Sequence, residues 1–482
     1  GIMVGEGEVT FSELLTFYEK KSSGRYSEQQ QLQIVAFWPG AIKQAGLDSI
    51  AGIVYRDPIT GELVRTKERS LTNISEIPFF YKDMKDFANR IVYYESSRGC
   101  PFRCGYCLSS IDKQVRLRDL ALVKEELQFF LDRKVPQVKF VDRTFNCKKS
   151  HSMAIWQYLL EHDNGITNFH FEISSDLLDD DELALMKQMR PGLIQLEIGV
   201  QTTNLMVVKE IRRTMDLDKV ARRVAQVNTF GNIHQHLDLI AGLPYEDIES
   251  FHRSFNDVYK MEPEQLQLGF LKVLKGSYME EMKQKYGLLS QSKPPYEVLR
   301  TNWLSYEEVI RLKGVEEMVE VYYNSGQFRR TMKYLVQEWG DAFDLYDRLA
   351  AFYEEEGLNG VSHNRLARYE ILYLFIQKWG NKEISYQDLL IYDLYLRENV
   401  KSRPSFAPDP SEWKNETKQF FMREAKERRY LKGYEAYDSR QMAKMAHLER
   451  MEDGSFVLFD YKNRDALFGN AAAFSISQDE IQ

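Results

Sequence analysis

Between about residues 90 and 285, short apolar runs alternate with longer stretches of helical pattern. The runs Ile91–Glu95, Gln137–Val141, Asn168–Ile173, Leu193–Ile198, Asn232–Ile240 and Gln265–Leu271 predict strands. Asp119–Leu131, His151–His162, Asp179–Met189, Asn204–Arg212, Leu217–Phe230 and Ile248–Lys260 predict the helices between them. Six strand–helix units of this length argue for parallel strands covered by helices. Barrels of that kind place their chemistry at the carboxyl ends of the strands, so the residues just after each strand are the candidates.

The flanks read differently. Gly5-Glu6-Gly7-Glu8-Val9-Thr10-Phe11 followed by Ser12–Lys20 predicts a strand, a Gly-rich turn and a helix. From about 30 to 90 the pattern is a connector with short strands: Ile50–Tyr55 alternates loosely, Asp57–Glu62 is turn chemistry, and Leu71–Phe80 is extended. Beyond 300, Val309, Leu312, Val315, Met318 and Tyr322 recur at helical spacing, and Leu366–Trp379 and Tyr386–Arg397 continue as helices. Ser402–Pro410 is a proline-punctuated loop, Trp413–Lys444 reads as a solvated, slightly basic helical stretch, and Ser455–Asn463 as a strand and turn. The divisions that result are 1–85, 86–290 and 291–482.

Composition narrows the classes. A chain of 482 residues with net charge −8 is long enough for two or three domains and carries no general footprint for nucleic acid. No apolar run approaches the roughly 20 residues of a membrane helix. Four cysteines in so long a chain make no disulfide framework and point to a reducing, cytoplasmic setting.

Three of those cysteines carry the chemistry. Cys100, Cys104 and Cys107 stand in Glu95-Ser-Ser-Arg-Gly-Cys-Pro-Phe-Arg-Cys-Gly-Tyr-Cys, directly after the first strand. Three thiolates can hold three corners of a [4Fe–4S] cube and leave one iron open, whereas an electron-transfer cluster normally takes four. A structural zinc site also needs four ligands, usually as two knuckles. No second CxxC exists, and Cys147 lies forty residues beyond Cys107. Cys147 fits a small buried residue better than a ligand.

The C-x3-C-x2-C spacing with Tyr106 before the last cysteine resembles the radical S-adenosylmethionine (SAM) superfamily, in which the open iron chelates SAM. The fold this implies is α/β: a partial (β/α)6 barrel, here with a mostly helical carboxy-terminal domain and a remnant of an amino-terminal α/β domain. Five further strand ends resemble one large branch of that superfamily, associated with a cobalamin-binding domain. Asp142-Arg143-Thr144-Phe145 resembles its second-strand loop, implying SAM contact by Asp142 and Thr144. Glu172 matches a carboxylate that accepts the ribose hydroxyls. Leu196–Thr202 resembles a Gly-Val-Gln-Ser motif and makes Gln201 a SAM contact. Arg213, with Arg212 as the neighbouring alternative, matches a partner of the methionine carboxylate. His236-Leu-Asp-Leu-Ile-Ala-Gly-Leu-Pro244 resembles an Asp-Leu-Ile-x-Gly-Leu-Pro run and makes Asp238 a ribose or substrate contact, with Glu246-Asp247 beginning the next helix. Leu266–Ser277 is similar to the last barrel strand of the branch, either supporting the adenine or packing the core.

Outside the barrel, residues 5–20 resemble the last strand–turn–helix of the cobalamin domain, as though the chain entered mid-domain. The carboxy-terminal region resembles the domain of unknown function DUF4080. The resemblance implies reductive cleavage of SAM to a 5′-deoxyadenosyl radical, a flavodoxin- or ferredoxin-type electron donor and, in a cobalamin-binding parent, methyl transfer to carbon. Methylthiolation normally needs a second set of three cluster cysteines, which this chain lacks. An RNA-modifying enzyme of the same superfamily and a non-catalytic cluster scaffold or sensor are the alternatives. The acidic charge stands against the first and Glu172, Gln201 and Asp238 against the second.

Overall fold

In the computed structural model of the chain, the residues described are 1–22, 47–57, 60–87, 90–110, 112 and 114–481. They form two compact units, one of Gly1–Asp86 with Arg116–Glu126 and one of Phe87–Val115 with Leu127–Gln482.

In the smaller unit the strand Ile2–Met3 pairs antiparallel with Ile53–Arg56, which pairs with Leu63–Arg65. The helix covers Gly7–Ser22 and so begins five residues before the expected Ser12. Val9, Thr10 and Phe11 favour strand locally, but Thr10 is fully buried and donates its hydroxyl to the Ala51 carbonyl at 3.2 Å from inside the helix. Tertiary packing decides the local conformation. Residues 30–46 of the expected connector and Pro58-Ile59 of the expected turn lie outside the described residues.

The larger unit is built on six parallel strands: β1 (Val92–Tyr94), β2 (Gln137–Phe140), β3 (Asn168–Ile173), β4 (Ile194–Gln201), β5 (His234–Ala241) and β6 (Gln265–Phe270). They pair strictly in chain order. Helices Leu120–Asp132, Lys149–Glu161, Asp180–Met186, Leu205–Glu210, Leu217–Asn228 and Ile248–Tyr259 make the crossovers, each within three residues of the expected bounds at its start and at its end. This is the partial (β/α)6 arrangement.

The two faces of the sheet differ chemically. Phe140 and Phe171 point outward, with ring centroids 4.4 Å apart and Phe171 6.0 Å from Trp156 of the covering helix. Leu266 and Leu268 are buried. The alternate positions on β2–β5 are polar: Lys139, His170, Glu172, Glu197, His236 and Asp238. Lumens of closed (β/α)8 barrels are filled by branched apolar side chains; this one is not.

After the barrel come a short hairpin, Leu289–Ser290 with Val298–Arg300, and helices Tyr306–Val319, Arg329–Trp339, Ala342–Glu355, Arg365–Trp379 and Tyr386–Arg397. The stretch expected as one solvated helical face is two helices, Lys414–Glu427 and Ser439–Met445. They contribute Phe420, Phe421 and Met442 to a core that also holds Trp413 and Tyr434. The region then ends in a three-stranded antiparallel sheet, Ala446–Arg450, Phe456–Arg464 and Ala471–Ile476. Only the central strand shows in the sequence, because its partners are rich in alanine and charge and have weak β-propensity.

Candidate functional site

The chain leaves β1 through Ser96-Ser97-Arg98-Gly99 into the cysteine loop. Gly99 has φ +93°, and a Cβ there would sit 2.4 Å from the Gln114 carbonyl oxygen. Only glycine lets the loop turn so close to that backbone. The Cys100 N–H donates to the Asp112 carbonyl at 3.3 Å. Gly105 is strapped on both sides: its N–H donates to the Ile211 carbonyl at 2.8 Å, and its carbonyl accepts from the Met279 N–H at 3.2 Å. The loop so fixed turns Cys100, Cys104 and Cys107 onto one cavity of about 180 Å³ at the carboxyl ends of the strands.

The same cavity collects Thr144 from the β2 loop, Glu172 from β3, Gln201 from β4, Arg213 from the next connection and Asp238 from β5. Thr144 Oγ1 lies 3.5 Å from Cys100 Sγ and donates to the Arg143 carbonyl at 2.8 Å. Gln201 is aimed by a bulge. Gly199 faces Asp238 and Gln201 faces Leu239, so Val200 is the extra residue. Gln201 takes φ +74°, and its Oε1 is buried without a hydrogen-bond partner.

Arg213, not Arg212, is the arginine on the cavity. Arg212 is exposed, its guanidinium 3.5 Å over the Tyr278 ring. Arg213 Nη1 donates to Tyr106 Oη at 3.1 Å and to Cys104 Sγ at 3.7 Å, and Nη2 donates to the Gly199 carbonyl. Its Nε is buried without a partner. The guanidinium thus joins the cysteine loop to the end of β4.

Asp142 does not line the cavity. It is fully buried and accepts from the Ser96 N–H at 2.8 Å, Ser96 Oγ at 2.7 Å and Ser97 Oγ at 2.6 Å. Burial pushes its carboxyl up to about 6 against those bonds. Its place is behind the wall, bracing the entry to the cysteine loop. Cys147 is also off the cavity, and burial raises its thiol to about 11. Glu246, expected as a helix-start acid, is buried and accepts from Thr202 Oγ1 at 2.6 Å, while Asp247 caps the helix.

Glu197 lines the cavity too and was given no role from sequence. Its Oε2 lies 2.9 Å from Lys139 Nζ and 2.8 Å from His170 Nε2. Burial pushes its carboxyl up, but His170 and Lys139 outweigh it and hold it at about 2. Alternation from Gly199 was the signal that would have placed it inward. Glu172 has no hydrogen-bonded cation among the described residues, so burial, reinforced by the Glu197 charge, raises it to about 7 against the pull of Arg143 and Lys139. Asp238 Oδ1 lies 3.1 Å from His236 Nε2.

A chain-ordered parallel barrel with three cysteines on one cavity defines a class, and the comparisons agree with it. Residues 94–258 match the Radical SAM superfamily, and residues 284–463 match a protein of unknown function, DUF4080. The chain is similar to the radical SAM superfamily over the barrel strands and their crossovers. It is similar to an uncharacterised methyltransferase of Pyrococcus horikoshii, with 23% identity over 65% of this chain and 62% of that one. It is also similar to the cobalamin-dependent radical SAM methyltransferase TokK of Streptomyces tokunonensis, with 23% identity over 61% of this chain and 42% of that one. The chain therefore spans about two fifths to three fifths of the length of these relatives. Among solved structures, the cobalamin-dependent SAM radical enzyme OxsB aligns over 80% of this chain and 64% of its own, with 15% identity and a TM-score of 0.46. Among the described residues no helix is long and apolar enough to cross a membrane.

Proposed function

We propose that this protein is a radical SAM enzyme in which Cys100, Cys104 and Cys107 hold a [4Fe–4S] cluster and the surrounding cavity holds SAM. The observation that carries the reading is the convergence of three thiols on one cavity with two orphaned buried polar atoms, Gln201 Oε1 and Arg213 Nε. Buried polar groups without partners are rare and mark a place where a ligand completes the hydrogen bonding. The donor set fits the group: soft thiolates for iron, with a carboxylate and a carboxamide for the polar parts of SAM. When bound, cluster and SAM would supply a 5′-deoxyadenosyl radical that takes a hydrogen atom from substrate, and the likeness to methyltransferases makes methyl transfer the favoured outcome.

The chain's own residues bind and orient. Glu172 accepts from the ribose hydroxyls, Gln201 Oε1 accepts from a SAM donor, and Thr144 covers the Cys100 side. Arg213 acts as a clamp, since its Nη groups are already engaged by Tyr106, Cys104 and Gly199. Asp142 acts through Ser96 and Ser97 and does not contact SAM. We place the functional divisions at 1–85, 86–290 and 291–482, with a flavodoxin or ferredoxin of the cytoplasm as reductant. The test is anaerobic reconstitution with iron and sulfide, then assay of SAM-dependent change in the cluster spectrum.

Two outcomes follow. Glu172→Gln weakens SAM binding about tenfold or more, the worth of hydrogen bonds to a charged acceptor, as read by equilibrium dialysis. It also stabilises the SAM-free fold. The Glu172 carboxyl titrates near 7 in the folded protein and near 4.5 unfolded, so folding loses stability as pH rises from 4.5 to 7, by ~3 kcal/mol once both states are ionised. Thermal unfolding of the variant should therefore exceed wild type at pH 8 and match it at pH 4.5. Arg213→Gln removes an N–H donor from Cys104 Sγ. Hydrogen bonds to cluster sulfurs help set the potential, so the variant's cluster should be harder to reduce in a spectroscopic redox titration.

A further inference from the structure

The cavity faces the ligand with an excess of acceptors. Glu172 has no hydrogen-bond partner for either carboxylate oxygen among the described residues. Glu197 Oε2 accepts from Lys139 Nζ and lies 2.8 Å from His170 Nε2, and its Oε1 has no hydrogen bond among the described residues. Asp238 Oδ1 lies 3.1 Å from His236 Nε2 but is itself buried without a formed hydrogen bond. Gln201, only 8% exposed, adds an unpartnered Oε1 on the same cavity. The basic side chains beside these acids, Lys139, His170 and His236, sit on the inward face of β2, β3 and β5, and among the described residues only Arg143 and Arg213 bring a basic side chain to the cavity lining itself. Three carboxylates within mutual electrostatic reach repel one another: Glu197 raises both Glu172 and Asp238. A ligand that donates hydrogen bonds, or carries positive charge, relieves that repulsion; one that brings further acceptors adds to it.

SAM accounts for part of this surface. Its ribose diol needs one carboxylate, Glu172, and Gln201 takes another of its donors. Glu197 and Asp238 remain. They stand on adjacent strands, on the same face and diagonal to each other, because Glu197 pairs in register with His236 and Gly199 with Asp238. An imidazole stands beside each, and Glu197 is anchored in addition by Lys139.

We propose that the substrate of this site is a donor-rich molecule, an amine or a polyol, whose ammonium or hydroxyl groups are received by Glu197 and Asp238. The inference rests on the radical SAM reading of the cavity. It makes Glu197 and Asp238 specificity-determining residues, and it disfavours carboxylate-bearing and purely apolar groups beside them.

The test uses reconstituted protein with SAM and no reductant. Melting temperature is measured against increasing putrescine, glucosamine or myo-inositol, with glutarate and toluene as the acidic and apolar probes. At least one of the first three should give a saturable upward shift, with putrescine and myo-inositol separating the amine from the polyol. Glu197→Gln and Asp238→Asn should each weaken that probe about tenfold while keeping wild-type iron content. A larger saturable shift with glutarate or toluene overturns the proposal. So does the absence of a shift with all three donors, or one that survives both substitutions. Because binding is read without turnover, a failure to form 5′-deoxyadenosine in a separate assay counts against the radical reading alone.

Discussion

Single replacement of Cys100, Cys104 or Cys107 by alanine leaves a folded protein that retains no [4Fe–4S] cluster and cleaves SAM only at background. Each thiol lines the cavity, and no other cysteine can take its place, since Cys147 lies off the cavity wall. Burial raises the Cys104 thiol despite Arg213 and Tyr106 beside it, so the thiolate is costly without metal and its worth appears only on iron binding. The fold depends on these side chains little, because the sheet and its outer aromatic layer lie away from them. Iron and sulfide content after anaerobic reconstitution should therefore fall to background while the melting temperature of the apo protein moves little. Cys147→Ala should keep wild-type iron content. Retention of a full cluster by any of the three variants would contradict the assignment.

The second large effect comes from a residue with no side chain. Gly99→Ala keeps every cysteine and should still lose most of the cluster. The new methyl would sit 2.4 Å from the Gln114 carbonyl oxygen at a backbone angle of φ +93°. Strain of this kind costs on the order of 3 kcal/mol, and the relief available is movement of the loop that begins at Cys100. Gly231, with φ +65° and no atom within 4 Å of the added carbon, is the control; there alanine should cost about 1 kcal/mol and leave cluster content unchanged. Iron content and chemical unfolding of the two variants separate loop geometry from general destabilisation.

The parallel barrel was readable because each crossover repeats one period change, from short apolar runs to helical spacing, and short-range pattern is enough to show it. The cysteine loop was readable because three thiols in eight residues have few other uses. Roles that depend on which way a side chain turns were less so. Asp142 and Thr144 are two residues apart, yet one braces Ser96 and Ser97 and the other faces the cavity. Arg212 and Arg213 are adjacent, and a connection after the helix sends one to solvent and the other to Tyr106 and Cys104. Glu197 went unnoticed because its meaning arises from Lys139 on β2 and His170 on β3, partners far away in sequence. The last sheet, 446–476, was half hidden for a different reason: its outer strands are held by packing on Phe456–Arg464 and carry little local preference of their own.

The central claim is that the three cysteines hold a cluster to which SAM gains direct access. The measurement that tests it most directly is electron paramagnetic resonance of the anaerobically reconstituted, reduced protein before and after adding SAM, with 5′-deoxyadenosine assayed in the same sample. A [4Fe–4S] signal that changes on adding SAM, together with 5′-deoxyadenosine above the level of the Cys104→Ala variant, is the predicted result. A fully loaded cluster whose signal is indifferent to SAM, with no 5′-deoxyadenosine formed, would contradict it.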